Sequence, residues 1–377
     1  MTDRRNPAAQ ATSETASGVS RRGFLAAAAA APLANWAVAA PAVHTAPRAL
    51  GETIVGEGDR KYRIDHDLFH LPGEYHWQIT HNVATDSQGR VYVIHEGDAS
   101  KTDHPAIFVF DADGTFVTAF GSHLQGGGHG LECRNEGGED FLYVTAYQGL
   151  KFWEKMTTAG ERVWQRFAPM ESGRYAAGED TNPQKEWGRD RFMPTNTASL
   201  SDGRLVLADG YGAHCLHVYD ADANYLSTIG KPGTGEGEFN LPHGLWIDAR
   251  GEEELIVVSD RANNRLQWLR PDGTHVRTEE GYLLPANCDV RDDLLLVPEL
   301  RSRITVLGGD GQPVCVVGDD AEWRAAVGAD GNALRRTPDK WQEGRLVHPH
   351  DACFDADGNI LLAEWVATGR VSKLSPV

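Results

Sequence analysis

Three histidines, His129, His243 and His350, stand at one repeated position of this chain, in the segments His-Gly-Leu-Glu, His-Gly-Leu-Trp and His-Asp-Ala-Cys. Each lies eight residues before a glycine (Gly137, Gly251, Gly358) that turns the chain into an apolar stretch. A lone histidine in a strand is more often a satisfied core group than a ligand, but three at one register form a pattern. Three imidazoles converging from different directions leave one tetrahedral position open, which is the arrangement of a catalytic zinc. His81 occupies the same register in a fourth segment. Either it orients a ligand or substrate, or it is itself a fourth ligand, in which case iron(II) suits the site better than a hydrolytic zinc. His348 precedes His350 by two residues, and residues so spaced in a strand face the same way, so it is expected to line the same pocket.

The elements that must position these side chains are read from the repeat. Six registers begin at His81, His129, Thr195, His243, near Ala286 and at His350, with starts 43 to 66 residues apart. A propeller blade takes about 40–50 residues. Most units run through short apolar strands into Asp-Gly or similar turns, as in AIFVFDADG, RLQWLRPDG and RITVLGGDG, which is the signature of antiparallel hairpins. The fold expected is all-β, a six-bladed propeller, because ring closure removes exposed sheet edges. Alternate blades of such a ring lie about 120° apart, so His129, His243 and His350 converge on its axis. Residues 370–377 read as the third strand of the last blade. The missing outer strand is assigned to residues 61–67 (KYRIDHD), which clasp the ring from the N-terminal side. Two connections, 165–193 and 319–347, exceed hairpin length. The second contains AEWRAAV, a candidate short helix. Both are either surface decoration or lids over one mouth of the channel.

Residues 1–40 read as a twin-arginine signal peptide. Ser20-Arg21-Arg22-Gly23-Phe24-Leu25 is followed by an alanine-rich apolar run and small residues suited to cleavage. Residues 41–60 read as a linker and 61–377 as the propeller. The segment implies the twin-arginine export machinery as a partner, a periplasmic or secreted destination, and no stable membrane span after processing. The net charge is −18, and removal of the arginine-rich leader makes it more negative. Such a surface disfavours nucleic acid and anionic membranes. The five cysteines, Cys133, Cys215, Cys288, Cys315 and Cys353, are an odd number for an oxidising compartment. A disulfide stays open, since sequence cannot pair them.

These residues carry a resemblance. FNLPHGLWID followed by VVSDRANNRLQWL resembles the NHL repeat. Over roughly residues 60–377 the chain resembles the peptidyl-α-hydroxyglycine α-amidating lyases (peptidylamidoglycolate lyases), six-bladed propellers of that repeat. His-Gly-Leu at 129, Pro-His-Gly-Leu at 242 and Pro-His-Asp at 349 match that family's zinc motifs. The resemblance implies zinc on His129, His243 and His350, and a structural calcium on Asp351 and the backbone carbonyls of Leu131 and Val83. Asp209-Gly210-Tyr211 resembles the segment with the catalytic tyrosine, making Tyr211 the base. Ser259-Asp260-Arg261 resembles the segment whose arginine binds or polarises substrate, giving Arg261 that role. The reaction implied is deprotonation of a zinc-activated substrate hydroxyl and cleavage of the adjacent C–N bond, yielding an amide and glyoxylate.

The chain departs from the family at several points. Glu96 stands where the family has an arginine, His348 where it has a methionine, and Gly212 where it has a disulfide cysteine. Like charges in a desolvated pocket repel strongly, so Glu96 predicts a substrate that is neutral or cationic nearby, or an acid/base role for Glu96 itself. Three functions follow: a metal-dependent lyase acting on a small-molecule or peptide-derived substrate, a hydrolase or lactonase on the same ring, or a non-catalytic binding propeller.

Overall fold

A computed structural model describes residues 53–377. They form six antiparallel sheets in chain order around a central axis, together with one small two-stranded parallel pair. The expected leader, residues 1–40, lies outside the described residues. Blade one runs from Thr80–Thr85 at the axis through Val91–His95 and Ile107–Phe110 to Phe116–Phe120 at the periphery. Blades two, three and four repeat this order from Gly128–Glu136, Asn196–Ser199 and Pro242–Asp248. Blade five starts at Asp289–Arg291 and blade six at Pro349–Phe354.

The burial pattern follows from this layering. Second and third strands are buried on both faces, as in Val91–His95, Ile107–Phe110 and Cys215–Tyr219, and read as continuous apolar runs. Fourth strands, such as Phe116–Phe120, are partly exposed to solvent. Each pair of neighbouring blades encloses its own apolar cluster. Ile94, Leu131 and Val144 fill the space between blades one and two, and Trp153, Leu207 and Cys215 that between blades two and three. Val83, Val93, Leu361 and Val371 pack blade six against blade one. Burial of this kind contributes roughly 25 cal/mol per Å² of apolar surface, so stability is distributed around the ring.

The clasp is double. Tyr62–Asp65 lies beside Arg370–Pro376, with Ile64 opposite Leu374, and supplies the fourth strand of blade six. Ile54–Val55 adds a fifth strand to that sheet, and Glu57–Gly58 pairs with Pro313–Val317 at the edge of blade five. Strand pairing therefore reaches residues 54–58, within the span expected to be a linker, and one short segment seals two blades. Gly58 (φ 109°) is needed there, because a side chain would press on the Val314 carbonyl.

Both long connections have defined structure. The second holds a helix at Ala321–Gly328, capped by the Asp320 side chain accepting from the Trp323 N–H. Trp323 and Val327 anchor it against Val347 and Val366. Among the described residues no helix is long and apolar enough to cross a membrane. The five cysteines form no disulfide.

Candidate metal centre

The innermost strands of blades one, two, four and six break register at the histidine positions. Irregularities fall between Thr80 and Asn82, Gly128 and Leu131, Pro242 and Leu245, and Pro349 and Asp351. A bulge re-aims side chains, and here it turns His81, His129, His243 and His350 into the channel. The four rings form a closed circuit with neighbouring centroids 4.6–4.8 Å apart, and all four are buried. His81, His129 and His350 each place a ring nitrogen within 4.8 Å of the others. His243 joins through its Nε2, 3.1 Å from that of His129.

A threefold rule orients three of these rings. Nδ1 of His129 donates to the Thr195 carbonyl, that of His243 to Ala286 and that of His350 to His81, at 2.7–2.8 Å. Each acceptor is the register residue of the next blade. The glycines after His129 and His243 make this approach possible, since a Cβ at Gly130 would collide with the Thr195 carbonyl and one at Gly244 with Asn287. With Nδ1 carrying the proton, Nε2 of His129 and of His243 both present lone pairs, and these face each other. Protonation is a poor remedy. Burial pushes all three imidazoles well below the usual histidine range, and the Arg261 charge adds to this. A divalent cation is the natural partner for such a donor set.

His81 differs. Its Nε2 lies 3.4 Å from Glu96, while its Nδ1 is buried without a partner. Burial lowers its pKa despite the neighbouring carboxylate. Burial alone would raise Glu96, but the hydrogen bond to His81 and contacts with Tyr147 and Arg335 hold it below the usual range, so it is ionised. His348 does not join the ring circuit. Its Nδ1 donates to the Leu300 carbonyl and its Nε2 is buried without a partner. It lines a cleft of about 600 Å³ shared with Leu283, Leu300 and Val327.

Tyr211 and Arg261 sit beside the histidines. The Tyr211 hydroxyl is 2.9 Å from His243 Nε2, 3.3 Å from His129 Nε2 and 3.5 Å from Arg261 Nη1. Burial raises its pKa, and Arg261 opposes that. Buried acids at the ends of second strands hold both loops. Asp209 accepts N–H bonds from Met193, Gly212 and Ala213, and Asp260 accepts from Asn240 N–H and Arg265. Gly210 and Gly212 leave no room for a side chain, against the Pro242 and Arg191 carbonyls respectively.

Deeper in the channel, Asp351 accepts from the Val83 N–H at 2.9 Å and from the Asn287 amide. Leu131 lies buried on the neighbouring inner strand. Burial raises Asp351 and Asp289 to about 7 each and pushes Glu132 well above the carboxylate range. A cation among these three acids would relieve them.

Other residues at the mouth carry no motif. Tyr147 packs 5.0 Å from His129 and 5.4 Å from Tyr211, and Trp187 of the first insertion lies 5.3 Å from Tyr211. Arg335, from the second insertion, stacks on Trp365. The repeat offered a signal for Tyr147: it follows its second strand as Glu96 and Arg261 follow theirs. For Trp187 and Arg335 there was none.

A family model described as DUF5128, a 6-bladed beta-propeller, matches residues 194–280. NHL repeat-containing protein 3 of Mus musculus is 28% identical over 226 residues, covering 56% of this chain and 59% of that protein. A probable peptidyl-alpha-hydroxyglycine alpha-amidating lyase of Caenorhabditis elegans, pgal-1, is 26% identical over 198 residues, or 50% of this chain and 51% of its own. The chain thus spans little more than half the length of these relatives. A streptogramin B lyase structure superposes with a TM-score of 0.53 at 12% identity, covering 84% of this chain and 98% of that one, a likeness of fold. The protein is a six-bladed β-propeller related to NHL-repeat proteins.

Proposed function

We propose that this propeller is a metal-dependent lyase of the amidating type, with zinc held by His129, His243 and His350. The observation that carries the reading is the pair of imidazole lone pairs, on His129 and His243, facing each other across 3.1 Å in a buried site. The relatedness to an amidating lyase agrees with it. A bound divalent ion would acidify a hydroxyl placed against it and stabilise developing negative charge. The chain's own residues do the rest. The Tyr211 oxygen, within 3.5 Å of both His243 and Arg261, accepts the substrate hydroxyl proton when ionised. The Arg261 guanidinium favours that ionised form and polarises the substrate. Collapse of the resulting alkoxide forms a carbonyl and breaks the adjacent C–N or related bond, and the proton taken up by Tyr211 passes to the departing group. Glu96 fixes the ring of His81, whose buried Nδ1 is unpartnered, and His81 serves as an orienting group or a fourth ligand, the latter favouring iron(II). Calcium between Asp351 and the carbonyls of Leu131 and Val83 would knit the blades below. The leader implies delivery by the twin-arginine machinery to the periplasm or beyond.

Elemental analysis of the folded protein lacking residues 1–40 is the direct test, with about one zinc-like ion per chain expected. Absence of tightly bound transition metal overturns the reading in favour of a binding propeller. Metal with turnover of an ester or lactone, but of no hydroxylated amide, replaces the lyase by a hydrolase.

A further inference from the structure

The second strands of all six blades end on one rim, and the residues that follow them are Glu96, Tyr147, Gly210, Arg261, Leu300 and Trp365. Two guanidiniums lie at this rim. Arg261 is 6% exposed, reaches the Tyr211 hydroxyl through Nη1 and leaves Nε and Nη2 without partners. Arg335 is also 6% exposed. It comes from the 319–347 insertion, outside the repeat, and is pinned in three ways. Its guanidinium carbon sits 3.3 Å from the centroid of the Trp365 ring, its Nε donates to the Trp365 carbonyl, and its own carbonyl accepts from Ala367. Its Nη2 has no partner. The Arg335 charge is felt by His81, Glu96 and Tyr147, so Arg335 reaches the same mouth as the histidines.

Neither arginine has a carboxylate within ion-pair distance among the described residues. A buried cation with unused donors is costly unless something fills them. Desolvation holds Arg335 down to about 10, the neighbouring Arg336 charge adding to this, and holds Arg261 below its usual value. Glu96, whose charge Arg335 feels, is already engaged by His81 and Gln148. Beside Arg261, which reaches the Tyr211 hydroxyl, the rings of Tyr147, Tyr211 and Trp187 pack together as an aromatic wall.

We propose that Arg335, with Arg261, forms a subsite for an anionic group of the substrate, a carboxylate or similar oxyanion, seated on the rim above the histidines. This rests on the reading of that rim as the substrate mouth. Planar guanidinium forks suit a two-oxygen anion. The second cation is supplied by an insertion rather than by blade one, where Glu96 stands.

Benzoate and benzamide, which match in shape and differ in charge, test the proposal through quenching of tryptophan fluorescence, Trp365 and Trp187 being the reporters. The unmodified protein is expected to bind benzoate about tenfold or more tighter than benzamide, a charge-assisted pair being worth at least that factor. Arg335→Gln should erase most of the preference and Arg335→Lys should keep part of it. Structural damage to the insertion would weaken both probes together and leave their ratio unchanged. An unmodified protein with no preference, or an Arg335→Gln variant whose ratio is unaltered, overturns the subsite. If the glutamine variant does not fold, the unmodified and lysine proteins decide by the same ratio. Metal content is measured in parallel. A metal-free protein that prefers benzoate keeps the subsite and loses the lyase, and a metal-replete one without the preference does the reverse.

Discussion

Among the described residues, two histidine-containing groups gather ligand-type side chains within reach of one ion, the circuit at the axis and the group Asp209, Cys215 and His217 in blade three. Distance and burial alone do not separate them. Their hydrogen bonds do. In the blade-three group Asp209 accepts three backbone N–H bonds and the Tyr175 hydroxyl, while His217 is bonded on both ring nitrogens, to Tyr175 and Thr228. Nothing is left for an ion, and the group serves to hold the loop that carries Tyr211. In the axial circuit the Nδ1 atoms of His129, His243 and His350 are spent on backbone carbonyls, and the Nε2 atoms of His129 and His243 face each other. The single Tyr211 O–H can donate to only one of these two nitrogens, and since buried polar groups are normally satisfied, the lone pair left over marks the place where something else belongs.

The comparison breaks most visibly if the ligands are removed one at a time. His129→Ala, His243→Ala or His350→Ala is expected to abolish stoichiometric transition metal and reduce activity to background, while His217→Gln keeps both. Elemental analysis and far-UV circular dichroism on the same samples check this. Retention of metal by all three alanine variants would move the site elsewhere. His81→Ala sharpens the result, because metal loss there too indicates a four-histidine, iron-type centre.

Tyr211→Phe should leave metal content intact and lower kcat by about 10²–10⁴-fold, the range for a lost general base. A change confined to KM would reassign the hydroxyl to binding. Glu96→Gln should weaken metal affinity by about tenfold, the lower end for a group orienting a ligand, as read by competition with a chelator. An unchanged affinity would make Glu96 a bystander at the rim.

The smallest effect belongs to the saturated group. Burial lowers His217 to about 3. Its native form is neutral, so its contribution to stability is complete above the unfolded pKa near 6.5 and is lost as pH falls towards 3. His217→Gln should cost roughly 1–3 kcal/mol at neutral pH and reduce the slope of stability against pH over that window, measured by thermal melts. An identical acid profile in both proteins would show that His217 is not the titrating group.

Much of this architecture was legible because it repeats. Six registers, the clasp at residues 61–67 and the blade-wise placement of His129, His243 and His350 follow from strand period and turn chemistry. Periodicity could not reveal the carbonyl partners of those histidines, because Thr195, Ala286 and His81 come from the next blade in the ring. Nor did it reveal the bulges, two of which lie where Gly130 and Gly244 let adjacent strands approach. Arg335 and Trp187 were invisible for a different reason. They sit in insertions without a repeat, where only packing against Trp365 and Tyr211 decides which way they point. Glu96 illustrates the limit of charge counting. Read alone it suggests a site hostile to anions, whereas in place it is occupied by His81 and lies within the influence of Arg335.

The seam where the ring closes also sets a timetable. Ile64 must wait for Leu374, some three hundred residues later, and at typical synthesis rates that delay is ~15–60 s. The same seam carries the bond from His350 to the His81 carbonyl. The last imidazole is therefore oriented only when the first and last blades meet, so a growing chain can display His129 and His243 but never the whole donor set. If the circuit holds a metal, its capture and ring closure become one event, and an unfinished propeller would be unable to hold the ion prematurely.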